Sequence, residues 1–247
     1  MRSEGLLLDR GKERQRLAKA AAFYDSRRGL SYRLVKHAAE IILAQAAGPR
    51  LLEMGCASGV MTEIFAARFP QATVVEGVPA YAEAARSIVG DSGKAFCCLF
   101  EEFEPAETYN DIVMAGVLEH VADPVDLLRK ASGWLERDGR LHIVVPNALS
   151  LHRRVGVALG LLSRPEELHP ADLAMGHRRV YTWDLLKAHI LESGLMISAK
   201  EGNFLKPLSN QQMADWSDDL LEAFQALGHE LFDLCAEIYV QCRLRTD

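Results

Sequence analysis

Five short apolar segments alternate with helix-like segments in the first part of the chain, and this alternation restricts the fold more than any other feature. The segments occupy residues 50–54, 72–75, 95–99, 111–115 and 141–145. Such alternation predicts βαβ units with right-handed crossovers, and therefore a mostly parallel α/β sheet with helices on both faces. Because these sheets bind ligands beyond the carboxyl ends of their strands, the residues that follow each segment are the first candidates for function.

The regions before and after this alternation predict additions to the sheet. Residues 12–47 have helical spacing of apolar residues up to Gly48-Pro49, which predicts an N-terminal helical cap at 1–48. The remaining domain, 49–247, carries a lid-like insertion at about 148–180, whose apolar stretch could cover a substrate, contact a second copy or fill core. The other predicted elements are helices at 60–69, 81–89, 124–139, 182–193 and 215–234, and strands at 195–199 and 237–244.

Composition places the chain among soluble globular proteins. It has 247 residues, of which 49% are hydrophobic and 25% charged, and no apolar run long enough for a signal peptide or a membrane span. Five cysteines without a CxxC pair favour reduced thiols and a cytoplasmic location. The first 36 residues carry ten Lys/Arg against four Asp/Glu. This basic arm could contact nucleic acid or a membrane surface, or it could simply be a solvated helix face.

A glycine turn follows the first predicted strand. The strand and turn read Leu51-Leu52-Glu53-Met54-Gly55-Cys56-Ala57-Ser58-Gly59, and Glu76 follows the second strand. Small residues let a ligand approach the backbone, and a carboxylate at the second strand can accept hydrogen bonds from ribose hydroxyls. The glycine spacing does not fit a dinucleotide fingerprint, and no Lys-Ser/Thr follows as in a P-loop. These features predict an adenosine-containing cofactor, although a glycine turn can also serve packing alone.

Further segments, in the same order along the chain, resemble the class I S-adenosylmethionine-dependent methyltransferases. They are the acidic-x-Gly-x-x-x-Gly turn at 53–59, Leu118-Glu119-His120-Val121 within 111–124, the helix, turn and strand at 134–147, and the segment 176–186. The resemblance implies a Rossmann-like seven-stranded sheet of order 3-2-1-4-5-7-6 with strand 7 antiparallel. Within the family, the sequence looks most like ubiquinone-biosynthesis O-methyltransferases and bacterial small-molecule methyltransferases.

The resemblance also implies where S-adenosylmethionine would bind. The residues expected beside its methionine portion are Glu53, Gly55, Cys56, Ala57 and Gly59. Glu76 is expected at the ribose, Gly77 and Val78 beside the adenine, Phe100 and Glu101 on its other face, and Ala115 and Gly116 near the sulfonium. Similar enzymes can hold a metal on Glu-x-x-Glu-His, but the first glutamate is Gly116 here. Because Glu119 and His120 alone are too few ligands, we predict no metal.

The acceptor side of the site is predicted from residue chemistry. His120 and His177 are the candidate catalytic bases, because a histidine can accept a hydroxyl proton near neutral pH. His-Arg-Arg occurs twice, at 152–154 and 177–179, so Arg153 and Arg178 could clamp an anionic substrate or instead pair at the surface. Tyr24, Asn147 and Tyr181 complete the predicted substrate-binding residues, with Tyr24 and Tyr32 as candidates to roof the cofactor.

Methyl transfer to a small molecule, at oxygen rather than nitrogen, is therefore the predicted function. A nucleic-acid methyltransferase is an alternative that the basic arm favours, but no Asn/Asp-Pro-Pro-Tyr-like motif follows the fourth strand. A noncatalytic scaffold that binds the cofactor is a second alternative. The acceptor is expected to be anionic if the arginine clamp forms, and a homodimer stays open.

Overall fold

A seven-stranded sheet forms the centre of the computed structural model, which describes residues 9–245. The strands run in the order β3-β2-β1-β4-β5-β7-β6, and only β7 is antiparallel to its neighbours. The predicted strand order and the antiparallel last strand are therefore confirmed. The strands are β1 (Leu51–Met54), β2 (Thr73–Glu76), β3 (Lys94–Cys97), β4 (Tyr109–Ala115), β5 (Leu135–Pro146), β6 (Leu195–Asn203) and β7 (Glu237–Leu244).

Nine α-helices within residues 9–245 surround the sheet. They are α1 (Arg10–Phe23), α2 (Gly29–Gln45), α3 (Val60–Arg68), α4 (Pro79–Val89), α5 (Pro124–Gly133), α6 (Leu151–Ala158), α7 (Pro170–Ala174), α8 (Trp183–Glu192) and α9 (Asp218–Leu227). None of the helices in this range is long and apolar enough to cross a bilayer. Short 3-10 turns at Phe100–Glu102 and Phe232–Leu234 complete the helical elements of the described chain.

The core lies on both faces of the central strands. β1 is buried along its whole length, as expected for a parallel strand covered on both faces. On one face, Ile112, Met114 and Leu118 pack in the largest cluster of buried side chains, whereas Val113 belongs to a second cluster on the other face. This rigid sheet holds the carboxyl ends of β1, β2, β4 and β5 in fixed positions.

The N-terminal region is divided differently from the prediction of one cap. The predicted helix at 12–47 is two helices, because Asp25 accepts a hydrogen bond from the Arg27 backbone and Gly29 has a φ of +53°. In α2, Ile42 packs with Phe65 in the second core cluster, so α2 is a layer of the sheet domain. The predicted domain ends at 1–8 and 246–247 lie outside the described residues.

Three further elements differ from their predicted bounds. Helix α5 ends at Gly133, and the Asp138-Gly139 signal lies inside β5, where the register against β4 shifts. A Cβ on Gly139 would lie 3.0 Å from the Tyr109 carbonyl oxygen, so this glycine permits the close strand contact rather than ending a helix. Strand β6 continues to Asn203 because its pairing with β7 continues. The predicted helix at 215–234 is shortened to α9 and a 3-10 turn.

Candidate active site

A cavity of about 350 Å³ opens at the carboxyl ends of β1, β2, β4 and β5. One end is lined by residues of the glycine turn and by Glu76, and the other by the insertion, the loop after β6 and the start of β7. Residues of α1 and α2 form the remaining wall. We call these the cofactor end and the distal end.

The glycine turn forms the cofactor end through backbone geometry. Gly55 and Gly59 have φ values of +78° and +83°, in the left-handed region that favours glycine. Ala57 also has a positive φ, +46°, which is uncommon for a residue with a side chain. A Cβ on Gly59 would lie 2.6 Å from Ile88 Cδ1 of α4, so a larger residue would both displace that side chain and strain the left-handed backbone. The sequence motif therefore encodes a backbone shape.

Glu76 holds this turn in place. Its Oε2 accepts hydrogen bonds from the backbone N–H groups of Cys56 (3.1 Å) and Ala57 (3.3 Å), and its Oε1 accepts one from Val78 (2.8 Å). Burial raises the pKa of the Glu76 carboxyl, while these backbone donors act in the opposite direction. The Cys56 thiol also lies 3.7 Å from Oε2, so Oε2 is fully engaged, whereas Oε1 accepts a single bond and keeps a lone pair for a ligand hydroxyl.

Most predicted cofactor residues line the cavity. Those that do are Glu53, Gly55, Cys56, Ala57, Glu76, Val78, Phe100, Ala115 and Gly116. Gly59, Gly77 and Glu101 are not part of its lining. Leu17 of α1 covers Gly77, since a Cβ there would lie 2.8 Å from Leu17 Cδ1. Glu53 is 2% exposed, and burial raises the pKa of its carboxyl to about 8.

Helix α1 covers the cofactor end. Leu17, Ala20, Ala21 and Tyr24 line the cavity, whereas Tyr32 is 45% exposed and is not part of this wall. The Tyr81 hydroxyl donates to the backbone oxygens of Ala21 (3.0 Å) and Tyr24 (3.2 Å), which ties the end of α1 to α4. Tyr24 therefore lies in the cavity wall that was expected to cover the cofactor, whereas Tyr32 lies outside this wall.

Glu119, His120 and His177 meet at the middle of the cavity. The His120 and His177 rings pack edge to face with their centroids 4.8 Å apart. A Cβ on Gly116 would lie 3.5 Å from Glu119 Oε1, which places that carboxyl beside the end of β4. The Arg178 backbone N–H donates to the Glu119 carbonyl at 2.8 Å and so joins the end of the insertion to this loop. The fold thus brings together two histidines that are 57 positions apart.

Burial sets the protonation states of this group. It raises the pKa of Glu119 to about 7, and Glu119 Oε2 has no hydrogen-bond partner within residues 9–245. Burial, together with the neighbouring His177, lowers the pKa of His120 to about 3, so His120 is neutral and a weak base. His177 Nδ1 lies 3.5 Å from Asp172 Oδ1 and has no hydrogen-bond partner within residues 9–245, so the carboxylate orients the imidazole only if the two groups approach further. His177 is therefore the better placed base of the two.

Comparison with known proteins agrees with this geometry. A family model described as a methyltransferase domain matches residues 24–198. The chain belongs to this methyltransferase family. Curated relatives include two ubiquinone biosynthesis O-methyltransferases. The one from Rhodopseudomonas palustris is 24% identical over 66% of this chain and 65% of its own length. The one from Xanthomonas axonopodis is 27% identical over 41% of this chain and 44% of its own length. The chain thus spans less than two thirds of either relative.

A solved structure supports the same fold. The N-methyltransferase NodS from Bradyrhizobium japonicum, in complex with S-adenosyl-l-homocysteine, matches with a TM-score of 0.62 at 16% identity. The match covers 95% of this chain and 99% of that chain. The fold is that of the class I S-adenosylmethionine-dependent methyltransferases.

The same three central side chains could hold a metal ion. One ligand atom from each of Glu119, His120 and His177 lies within 4.8 Å of the others. This corrects the count of two candidate ligands, because His177 arrives from the insertion. A carboxylate and two imidazoles suit cations such as Zn²⁺ or Fe²⁺. However, ligands about 2.1 Å from one Zn²⁺ cannot be more than about 4.2 Å apart, so the group would have to contract. The absence of a metal stays a prediction.

The predicted arginine clamp is not formed. Arg153 lines the cavity, but its guanidinium is engaged by Asp172 at 3.0 Å and by the carbonyls of Pro165 and Glu167. Arg178 is outside the lining and donates to Glu13 and to the His120 carbonyl, each at 2.8 Å. The buried Arg153 therefore joins parts of the insertion to one another, whereas the exposed Arg178 joins the end of the insertion to α1 and to the loop after β4. In both cases the protein already supplies acceptors for the guanidinium.

Asn147 and Tyr181 differ in their relation to the cavity. Asn147 lines it, but its amide donates to the carbonyls of Asp233 and Cys235, both at 2.9 Å. Tyr181 is fully buried outside the lining, with its hydroxyl 3.4 Å from the Leu118 carbonyl. Tyr181 is therefore part of the core, and its predicted substrate contact is corrected.

Sequence reasoning missed two polar residues of the distal end, Lys206 and Glu237. Lys206 follows β6 by three positions and Glu237 begins β7, and both line the cavity. No motif surrounds either residue. The one available signal was position, since Glu237 stands at the start of an antiparallel strand, whose first residues lie at the same edge as the carboxyl ends of the parallel strands.

Proposed function

We propose that this methyltransferase transfers the methyl group of S-adenosylmethionine to an oxygen atom of a small molecule in the cytoplasm. The observation that carries the proposal is the continuous cavity, which runs from the glycine turn and Glu76 past Gly116 to the group Glu119, His120 and His177. In this proposal the cofactor occupies one end of the cavity and the acceptor the other. The cofactor supplies an electrophilic methyl group, so the protein has to align the acceptor and exclude water.

The residues at the middle of the cavity suit an oxygen acceptor. A hydroxyl becomes a better nucleophile when a positioned base takes its proton. We assign this role to His177, whose Nδ1 faces Asp172 and whose other nitrogen, Nε2, would receive the proton. His120 positions the end of the insertion instead, because its Nδ1 lies 3.3 Å from the Gly176 carbonyl. The O-methyltransferase names of the curated relatives support the same choice.

The basic arm gives little support to a nucleic-acid substrate. Arg14 pairs with Glu102 at 2.6 Å, and Arg27 pairs with Glu63 at 2.8 Å. Arg33 pairs with Asp218. Cations that are paired with the acidic body neutralise fewer phosphates. A small-molecule acceptor therefore agrees better with the charge arrangement.

The proposal is tested by incubating the protein with methyl-labelled S-adenosylmethionine and a panel of phenols, hydroxy acids, amines and short oligonucleotides. We expect transfer to hydroxyl compounds. With the best acceptor, His177→Asn should lower kcat by about 10²- to 10⁴-fold, the usual contribution of a general base, without changing the affinity for S-adenosylhomocysteine.

The exposed His229 provides the matched control, because His229→Asn makes the same chemical change outside the cavity. Labelling of amines or oligonucleotides alone would contradict O-methylation. An unchanged kcat in His177→Asn would remove the base from the mechanism while leaving methyl transfer in place.

A further inference from the structure

Lys206 places an ammonium group at the distal end of the cavity. It follows Asn203, Phe204 and Leu205, which carry the end of β6 into the buried interior, and its own side chain is partly buried in the cavity wall. Within residues 9–245, its Nζ makes no hydrogen bond and no ion pair. Glu237 and Asp172 interact with it only through longer-range electrostatics. This partly buried ammonium lines the cavity without a protein acceptor, so a ligand in the cavity can supply one.

His152 adds a second unpaired polar group to the same wall. Its backbone N–H donates to the Lys206 carbonyl at 3.0 Å, which fixes the two residues side by side. Its Nδ1 is buried and has no hydrogen-bond partner in the described part of the chain. Burial, and then the charge of Lys206, lowers the pKa of His152 to about 3, so this imidazole is neutral and can donate one N–H.

The other charged groups of this wall already have partners. Asp172 accepts hydrogen bonds from Arg153 (3.0 Å) and from the His169 backbone (2.8 Å). Glu237 Oε2 accepts one from Asn203 at 2.6 Å, and burial raises the pKa of Glu237. Arg153 is engaged by Asp172 and by backbone carbonyls. Of the charged side chains in this wall, Lys206 alone lacks a direct partner within residues 9–245.

We propose that Lys206 and His152 bind a carboxylate of the methyl acceptor, so that the substrate is a hydroxy acid. This inference rests on the proposed function and specifies the acceptor at the same site. A carboxylate supplies acceptors for both unpaired groups and one negative charge for one unpaired positive charge. A phosphate dianion fits less well, because Glu237 and Asp172 would repel its second charge.

The location separates this subsite from the cofactor. Lys206 and His152 belong to the loop after β6 and to α6, whereas Glu76 and the glycine turn belong to the opposite end of the cavity. Asn210 and Ser31 also line the cavity, and the Asn210 amide donates to the Ser31 hydroxyl at 3.3 Å. Burial lowers the pKa of Lys206 to about 8, so the ammonium is still mostly charged at pH 7.

The experiment measures calorimetric binding of three probes to the complex of the protein with S-adenosylhomocysteine. The probes are 3-hydroxybenzoate, 3-hydroxybenzamide and 3-hydroxyphenyl phosphate, which share a ring and a hydroxyl but differ in charge. We expect the acid to bind at least about tenfold more tightly than the amide, as is typical of a charge-assisted contact, and more tightly than the phosphate.

Substitutions then locate the preference. Lys206→Met should abolish the preference for the acid, Lys206→Arg should retain part of it, and His152→Asn should reduce it, all with unchanged affinity for S-adenosylhomocysteine. Lys187→Met makes the same change on the exposed side of α8 and should keep the wild-type preference. Unchanged cofactor affinity shows that a variant is folded.

Each contrary result has a distinct meaning. Equal binding of the acid and the amide, no binding of the acid at millimolar concentration, or an acid preference that persists in Lys206→Met would overturn the subsite. If neutral phenols are methylated with the same efficiency as their acid counterparts, the proposed subsite is wrong and the proposed function stands. If acids bind through Lys206 but no hydroxyl compound is methylated, the subsite stands and O-methylation is wrong.

Discussion

The two ends of the cavity are built in different ways. The cofactor end is formed by one turn of contiguous sequence, in which positive φ angles and three backbone N–H groups converge on Glu76. The distal end is assembled from α2, α6, the loop after β6 and the start of β7, and it presents side chains to the cavity. Backbone recognition suits a ligand that never changes, whereas side-chain recognition can change with single substitutions.

This difference predicts that damage at the cofactor end is the more severe. Glu76→Ala would leave three backbone donors without their acceptor and remove the expected ribose contact. At about 1–3 kcal/mol for each buried donor left unpaired, we expect a loss of 3 kcal/mol or more in unfolding free energy. The affinity for S-adenosylhomocysteine should fall at least about 100-fold. Calorimetry and denaturant unfolding measure the two effects.

Glu83→Ala on α4, the helix that follows Glu76 along the chain, is the control. Glu83 is exposed on α4 and pairs with Arg86, so its removal should change neither quantity measurably. If Glu76→Ala binds S-adenosylhomocysteine as tightly as the wild type, the Glu76 carboxylate only stabilises the glycine turn and does not contact the cofactor. The two ends of the cavity would then differ less in their sensitivity to substitution than we infer.

Sequence reasoning succeeded where local rules act. The mostly parallel sheet, the glycine turn and the carboxylate after β2 follow from short-range signals, namely apolar alternation and residues that permit unusual backbone angles. The strand order was predicted only from the resemblance to a known family. It misjudged the helix end at Gly139, because a glycine that ends a helix and a glycine that lets two strands approach look the same in one sequence. Only the pairing of β5 with Tyr109 in β4 distinguishes the two cases.

The distal end was beyond such rules because its contacts are long-range. Arg153 and Arg178 were reasonable candidates to bind an anionic substrate. In the folded chain, however, Arg153 pairs with Asp172 and Arg178 pairs with Glu13. Lys206 carried no motif and became prominent only because β6 continues far enough to bring it to the cavity. Which cations stay unpaired depends on packing among distant segments, and no periodicity encodes that.

A smaller effect is expected from the pH dependence of two buried carboxyls, Glu53 at the cofactor end and Glu119 at the middle of the cavity. Burial raises the pKa of Glu119 from 4.5 to about 7, so the folded state binds this proton more tightly than the unfolded state. Protonation of Glu119 therefore adds its full favourable contribution to the free energy of unfolding below pH 4.5. This contribution is lost as the pH rises through 7. Glu119→Gln should be more stable than the wild type at pH 8, by at most about 3 kcal/mol, and little changed at pH 4.

Denaturant unfolding of the wild type and the variant at both pH values measures this difference. Glu53, with its pKa raised to about 8, stays in both proteins, so part of the pH dependence should persist in Glu119→Gln. A variant that is less stable at pH 8 would mean that the Glu119 carboxylate has a favourable partner when ionised. A bound cation would be one such partner.

The smallest expected effect is that of a chelator. A protonated Glu119 is a poor ligand, and the three candidate atoms are spread over as much as 4.8 Å, so we expect dialysis against EDTA to leave methyl transfer and acceptor affinity unchanged. Metal content before and after dialysis is measured by mass spectrometry, with Zn²⁺ and Mg²⁺ added back separately. Loss of activity that one cation restores, together with loss of that cation in His177→Asn, would contradict the prediction. The middle of the cavity would then act through a metal ion. A description of the cavity by its two ends would be incomplete, and a third, metal-dependent region would have to be added.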